Sequence, residues 1–484
     1  MRILLVTSEA YPLIKTGGLA DVSGSLPKAL QSLGVDVRIL IPAYLNLIEQ
    51  LRDCRKIATI DHLPHPDHAH LLLGKMPDSD VEVIAIQCKS LYERTGGPYT
   101  NSQGQDWADN ALRFGVLSKI ASILSSEDSP LKDWIPDIVH CNDWQTGLTP
   151  TYLHFMPGKK AKTVLSIHNL AFQGCYPENW VEQLQLPKES YNINGAEYYG
   201  QLSFLKAGIY FADGLSTVSP TYAKEIQTDG YGFGMQGLLT TRGDEIRGIL
   251  NGIDDHEWSP AKDAFIPANY NQSRMAGKYK VKQALQKKLA LEVRDDVPLI
   301  GVVSRLTHQK GLDIFAEICQ VLIAEGVQIA ILGSGEKALE QKFIALNASY
   351  PQQVAVTIGY NEPLSHHMMA GCDMFMMPSR FEPCGLNQMY GLAYGTPPIV
   401  SSTGGLADSV CNTTEETLHN NTATGFLIAE LNATSLLTTT QRAIALWHDK
   451  STWKKIQKNG MSKDLSWHSS AKSYLEMFEH LLRI

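Results

Sequence analysis

Ser304-Arg305-Leu306-Thr307-His308-Gln309-Lys310-Gly311-Leu312 sets two cations five residues apart, directly after a short apolar run from Pro298 to Ser304. Arg and Lys in one loop behind a buried strand can hold a leaving diphosphate, because fixed cations stabilise the negative charge that builds as the bond breaks, where a metal would otherwise be needed. Standing alone, the same motif reads as a solvated basic turn. A second run, Pro378-Ser379-Arg380-Phe381-Glu382-Pro383-Cys384-Gly385-Leu386, follows another apolar strand and leads into a helix. Glu382 is there placed to hydrogen-bond sugar hydroxyls and support positive charge at an anomeric carbon, or to cap the helix, or both. A third, Ser401-Ser402-Thr403-Gly404-Gly405-Leu406, opens through two glycines with the side-chain-free approach a phosphate needs.

The first half of the chain has its own polar strand ends. Lys15-Thr16-Gly17-Gly18-Leu19-Ala20-Asp21 offers a cation, two glycines and a carboxylate in one loop. His140-Cys141-Asn142-Asp143-Trp144 and Ser166-Ile167-His168-Asn169 end two apolar runs with an Asp, a His and an aromatic ring of the kind that suits carbohydrate. A single histidine so placed is more often structural. There is no GxxxxGK[ST] sequence and no GxGxxG after the first strand, which disfavours a P-loop hydrolase and a dinucleotide site.

Positioning these loops requires strands that alternate with helices. Short apolar runs at Arg2 to Ser8, Val35 to Ile41, Val81 to Ile86, Ile138 to His140, Thr163 to His168, Gly214 to Val218 and Ile246 to Leu250 are mostly separated by stretches with helical spacing, the first from Leu19 to Leu33. The pattern restarts at Pro298 to Ser304 and continues through Gln328 to Leu332, Val354 to Ile358, Met374 to Met377 and Pro398 to Ser401. Such alternation implies parallel sheets. With 484 residues, two α/β domains are expected, each Rossmann-like and doubly wound, facing across a cleft that holds the ligand at the strands' carboxyl ends. The expected division is 1–250, 251–465 and a final segment 466–484. Gly17-Gly18-Leu19-Ala20-Asp21 recurs as Gly404-Gly405-Leu406-Ala407-Asp408, which suggests an anion-binding helix start in each half without establishing a duplication.

Bulk composition narrows the function classes. Hydrophobic residues at 44% and charged residues at 19% describe a globular chain. A net charge of −8 argues against nucleic acid as the main partner. No run approaches a membrane span, and the N-terminal run is too short for a secretory signal, so a cytoplasmic location is expected. The eight cysteines stand singly, without a CxxC pair, and read as reduced thiols rather than zinc ligands or a disulfide framework. His62, His65, His68 and His70 lie among Pro and Asp in an expected loop, without supporting metal ligands.

Taken together, the motifs resemble the bacterial glycogen synthase and plant starch synthase family, from Lys15 to the C-terminus and in the family's order. The resemblance also takes in Glu197-Tyr198-Tyr199-Gly200-Gln201-Leu202-Ser203-Phe204-Leu205-Lys206-Ala207-Gly208, Thr217-Val218-Ser219-Pro220-Thr221-Tyr222 and Asn251-Gly252-Ile253-Asp254. It implies the GT-B arrangement, a retaining transfer of glucose to an α-1,4-glucan such as glycogen, ADP-glucose as donor, and no metal or other cofactor. It also implies a closing hinge and a last helix, within Ser469 to Ile484, that packs on the N-terminal domain. By motif, Arg305 and Lys310 hold the diphosphate, Glu382 engages the transferred glucose, and Thr403, Gly404 and Gly405 meet phosphate through backbone groups. Tyr360 stacks on adenine. Asp143, His168, Asn169 and Asn251 line the glucose pocket with the turn at Cys384, Gly385 and Leu386. Lys15, Gly17, Gly18 and Asp21 close over the donor, and Tyr99 faces the acceptor.

Some positions depart from the family pattern. Tyr390 stands where the broader class of retaining transferases has a second glutamate, Gln145 and Thr146 stand where His and Ala are commoner, and Asn387 replaces a usual Thr. The implied mechanism is front-face attack by the acceptor's 4-hydroxyl, with the leaving phosphate taking the proton and no protein nucleophile. Alternatives are a non-catalytic glucan-binding relative, a phosphorylase dependent on pyridoxal phosphate, and a transferase with another acceptor, as in sucrose-type synthesis.

Overall fold

The computed structural model describes residues 1–65 and 68–483. They form two compact units, Met1–Gly252 with Trp467–Ile484, and Ile253–Ser466. Asn251 and Gly252 thus belong with the first unit, two residues beyond the boundary expected from sequence.

The first unit is built on a nine-stranded sheet in the order Ile246–Gly248, Gly214–Thr217, Lys162–Ile167, Ile138–Asn142, Arg2–Val6, Asp36–Pro42, Glu82–Gln87, Ala69–Lys75, Arg52–Ile60. It is parallel from Ile246–Gly248 to Glu82–Gln87, and the last two strands are antiparallel. The central run Ile3-Leu4-Leu5-Val6 is wholly buried, as a strand covered on both faces must be. The antiparallel pair was absent from the sequence expectation. Its outer member begins Arg52-Asp53-Cys54-Arg55-Lys56, charged and exposed in the manner of an edge strand. His70 lies within the pair rather than in the expected loop. Among the described residues, His62, His65, His68 and His70 do not gather with acids or thiols into a metal-binding group.

The helix Gly18–Ser32 buries Leu19, Ala20, Val22, Leu26 and Leu30 on one stripe. An added Cβ at Gly24 would collide with the Tyr11 carbonyl oxygen, so glycine lets the loop before the helix cross it closely. The helix Trp467–Arg483 completes the unit. Tyr474 and Phe478 pack on His140 with ring centroids at 5.4 and 5.5 Å, and Gly214 gives room for Met477 and Leu481.

The second unit carries a six-stranded parallel sheet in the order Val354–Ile358, Gln328–Gly333, Leu299–Val303, Met374–Met377, Pro398–Ser401, Phe426–Ile428. Its core joins Ile300, Val302, Ile329 and Met376 of the sheet to Phe315, Leu322, Leu436 and Trp453. All eight cysteines are free thiols, and no helix among the described residues is long and apolar enough to cross a membrane.

Candidate active site

In each sheet the connections run in opposite directions from a pair of central strands, and the loops leaving that pair spread apart to make a crevice where ligands bind. In the second unit the pair is Leu299–Val303 and Met374–Met377, and the loops that leave it carry Arg305 to Lys310 and Ser379 to Glu382. The loops are tied together. Arg380 N donates to Gln309 O at 2.8 Å, and Arg380 makes two bonds of 2.7 Å to the Asp313 carboxylate. Gly311 adopts φ 66°, and a Cβ there would strike Pro378 O, so only glycine allows this approach.

The result is a polar cluster at the strand ends. Lys310 Nζ lies 2.5 Å from Glu382 Oε2, and Ser379 Oγ donates to the same oxygen at 2.9 Å. Glu382 is only 7% exposed, so its charge is held by a paired ammonium and a hydroxyl rather than by water. Arg305 stands exposed, its Nη2 reaching Gln309 Oε1 at 3.4 Å. Ser379 is an addition to the sequence-derived set. Its only signal in the sequence was its spacing, three residues before the glutamate on the same turn.

Cys384, Gly385 and Leu386 form the turn into the helix Asn387–Ala393, with Gly385 at φ 71° and Cys384 buried. Gly404 and Gly405 press against this turn. A Cβ on Gly404 would collide with Glu382 O, and one on Gly405 with Cys384 O. The Gly405 amide, assigned from sequence to phosphate, donates instead to Glu382 O at 3.2 Å and Pro383 O at 3.1 Å. These glycines therefore bring the Thr403 loop onto the backbone that carries Glu382. Asn387 Nδ2 binds Val303 O at 2.7 Å and straps the helix start to the neighbouring strand end. Tyr360 is 78% exposed beyond the strand Val354–Ile358, while Tyr390 is buried and stacked on Trp258 at 3.8 Å.

In the first unit the diverging pair is Arg2–Val6 and Ile138–Asn142. Glu9, just past the first of these, is 3% exposed. Its carboxylate accepts from Tyr99 Oη, from the Thr16 amide, and from the Gly17 amide at 3.1 Å. Burial raises the Glu9 pKa despite these bonds. Glu9 thus fixes the glycine loop that holds Lys15, whose Nζ pairs with Asp21 Oδ1 at 2.8 Å and lies 5.4 Å from the Tyr11 ring. Sequence reasoning missed Glu9 because it belongs to no motif; its one signal was an acid at a strand's carboxyl end. Gly17 and Gly18 have open space where a Cβ would be, unlike Gly404 and Gly405, so the repeated GGLAD sequence does not mark a repeated geometry.

The second strand of the pair delivers Asn142 and Asp143. Asn142 Nδ2 donates to Val6 O at 3.1 Å and His140 O at 3.2 Å, which leaves Oδ1 as the acceptor for His168 Nε2 at 2.9 Å. His168 therefore carries its proton on Nε2, and burial lowers its pKa to about 4, so the ring is neutral at pH 7. Asp143 sits at φ 57°, a region disfavoured for a side chain. Its Oδ1 accepts the His168 amide at 2.9 Å and the Asn169 amide at 3.3 Å. Burial nevertheless pushes its pKa up to about 7, with the charge of Glu9 adding to the shift. Asp143, His168 and Asn169 are thus one assembly. Asn251 follows the outer strand Ile246–Gly248, separated from the strand leading to His168 by Gly214–Thr217. Trp144, a candidate sugar platform from sequence, packs edge-on to Phe114 at 5.1 Å and Phe204 at 6.1 Å, so its ring serves the core.

Known proteins share this construction. Residues 2–241 match the starch synthase catalytic domain family, and residues 284–461 match the glycosyl transferases group 1 family. A glycogen synthase from Nitrosomonas eutropha is 51% identical, over 100% of this chain and 97% of the relative. The catalytic domain of starch synthase IV from Arabidopsis thaliana, bound to ADP and acarbose, superposes with a TM-score of 0.90 at 29% identity, covering 100% of this chain and 99% of that one. A sucrose-phosphate synthase from Thermosynechococcus elongatus shares the fold, with a TM-score of 0.57 at 17% identity and coverage of 100% and 99%.

Two Rossmann-like sheets, with a lysine–glutamate pair at the switch point of one and a buried Asp–His turn at that of the other, make the protein a glycosyltransferase with a GT-B-like fold. Full-length identity to curated relatives goes further: the chain belongs to the glycogen synthase family.

Proposed function

We propose that the protein transfers glucose from ADP-glucose, with retention of configuration and without a metal ion, to the non-reducing 4-hydroxyl of an α-1,4-glucan during glycogen synthesis. The observation that carries this reading is the Lys310–Glu382–Ser379 cluster, on loops that also present Arg305. Arg305 and Lys310 bind the diphosphate and stabilise the charge it gains as the glycosidic bond breaks. Glu382, fixed by Lys310 and Ser379, accepts from hydroxyls of the transferred glucose and offsets positive charge at its anomeric carbon. Tyr360 serves the adenine, and Thr403 and Gly404 the phosphate.

In the first unit, Asp143 fixes the backbone of His168 and Asn169 against the glucosyl group. Neutral His168, with its Nε2 proton committed to Asn142, accepts a sugar hydroxyl at Nδ1 without adding a charge beside the developing cation. Glu9 and Tyr99 hold the Lys15 loop over the donor, and Asp21 keeps the Lys15 ammonium in place. The acceptor oxygen attacks from the face that the diphosphate leaves, and the leaving phosphate takes its proton, so no protein nucleophile is needed. A solved relative bound to ADP and acarbose supports a nucleotide donor and a glucan-like acceptor.

The test is incubation with glycogen and radiolabelled ADP-glucose or UDP-glucose in a chelator. Label that enters the polymer from ADP-glucose and is released by β-amylase as maltose is the expected result. Folded protein that binds glycogen and incorporates from neither donor would refute it.

A further inference from the structure

Away from the Glu382 cluster, the second unit holds a group of ligating side chains that the transfer reaction does not use. Glu257, Glu362 and His366 present one ligand atom each within 4.8 Å of one another. His366 is wholly buried, and its two nitrogens differ sharply. Nδ1 lies 2.8 Å from Asp263 Oδ2, an oxygen that also accepts Tyr394 Oη at 2.5 Å. Nε2 is buried without a hydrogen-bond partner, and the closest approach of Glu362 Oε1 to it is 3.8 Å, beyond hydrogen-bonding range. A carboxylate bound to one imidazole nitrogen fixes the ring and leaves the other nitrogen aimed at acids, which is how metal-ligating histidines are oriented. Burying such a nitrogen unpaired is unfavourable, and a bound cation removes that penalty.

We propose that His366 Nε2, Glu362 and Glu257 bind one divalent transition-metal cation, best matched by zinc, with water completing the coordination. One imidazole and two carboxylates suit zinc better than magnesium or calcium, which favour all-oxygen sets. Charge supports the assignment. Asp263, Glu257 and Glu362 face a single histidine, and protonation of that ring compensates only one of their charges, whereas a dication with a neutral ring compensates two.

The site has a structural consequence. Trp258 is stacked between His366 and Tyr390, each at 3.8 Å and nearly parallel to it. Tyr390 lies on the helix Asn387–Ala393, whose Asn387 straps the end of the strand Leu299–Val303. A cation joining Glu257 to the helix Glu362–Gly371 would tie the segment that carries Trp258 to the helix that carries His366. The role is mechanical, and turnover at ordinary temperature does not depend on it.

Chelator-stripped full-length protein is titrated with Zn²⁺ against a colorimetric chelator, and bound zinc is counted by mass spectrometry. One zinc per chain is expected, with a raised thermal midpoint. Glu257→Gln and Glu362→Gln, at partly exposed positions that should fold, each weaken binding about tenfold or more and abolish the shift. His68→Ala/His70→Ala in the first unit leaves both intact. Folded protein that takes up no zinc at about 50 micromolar, a Kd well above that of ordinary protein zinc sites, would overturn the proposal. So would binding that survives both glutamate substitutions, or that is lost with the His68 and His70 pair.

Discussion

Replacing Asp143 by Asn should make the protein more stable and less active, and the size of the first effect follows from the structure. The carboxylate is 7% exposed, and burial moves its pKa from 3.8 to about 7. The folded state thus favours the protonated form, and the group's contribution to stability is complete below about pH 4 and lost progressively as pH rises to about 7. Each unit of pKa shift corresponds to about 1.4 kcal/mol, and with the group half titrated at pH 7 the native enzyme loses about 2 kcal/mol between about pH 5 and pH 7 that the variant keeps. The asparagine oxygen still accepts the His168 and Asn169 amides, and asparagine tolerates positive φ about as well as aspartate. Thermal unfolding of both proteins across this range is the assay. At about pH 4 the midpoints should lie close together, and by about pH 8 the variant's should be several degrees higher. Turnover should fall about tenfold or more if, as proposed, the Asp143 turn faces the glucosyl group, because that turn loses its charge. Parallel stability curves, a constant distance apart, would refute the account of Asp143 as a carboxylate ionised at a cost in stability.

The same carboxylate gives the wild-type rate a pH dependence: turnover declines as pH falls through about 7 and Asp143 is protonated, and a flat profile down to about pH 5.5 would remove it from the reaction. Lys310→Ala and Glu382→Gln should each lower kcat by about two orders of magnitude in steady-state assays, with circular dichroism unchanged. Gly311→Ala forces a methyl group against Pro378 O at φ 66° and should destabilise the second unit by about 1–3 kcal/mol in urea unfolding, with activity lost alongside. Excess EDTA should leave turnover unchanged, whereas loss restored by Mg²⁺ would contradict metal-free transfer.

Most of the parallel strands were legible in the sequence because a strand covered on both faces is an uninterrupted apolar run, as Ile3 to Val6 and Ile329 to Leu332 are, whereas the three-residue parallel strand Phe426–Ile428 was too short to be named. Arg52–Ile60 was invisible because an edge strand carries charge, and the three short strands Cys175–Pro177, Glu197–Tyr198 and Gln201–Ser203 are too brief to show alternation. The loops bearing Arg305, Lys310 and Glu382 could be placed because they directly follow recognisable strands. Glu9 could not, since its role depends on Tyr99, ninety residues away in the chain. The partners of the Gly405 amide were hidden for a related reason: a glycine pair before a helix looks the same whether its amides meet phosphate or another turn of the protein. Glu257, Asp263 and His366 are likewise brought together only by folding, His366 lying 103 residues after Asp263.

The helix Trp467–Arg483 belongs to the unit that the chain's first residues begin. Synthesis proceeds from the N-terminus, so the strands carrying His140 and Gly214 leave the ribosome long before Tyr474, Phe478 and Leu481 exist to cover them. All of Ile253–Ser466 can fold in that interval. The first unit waits with an uncovered aromatic and aliphatic face, a surface that chaperones hold and proteases test. A message cut short anywhere before codon 467 yields a product that can complete the second unit at most, and that displays its incompleteness on the first.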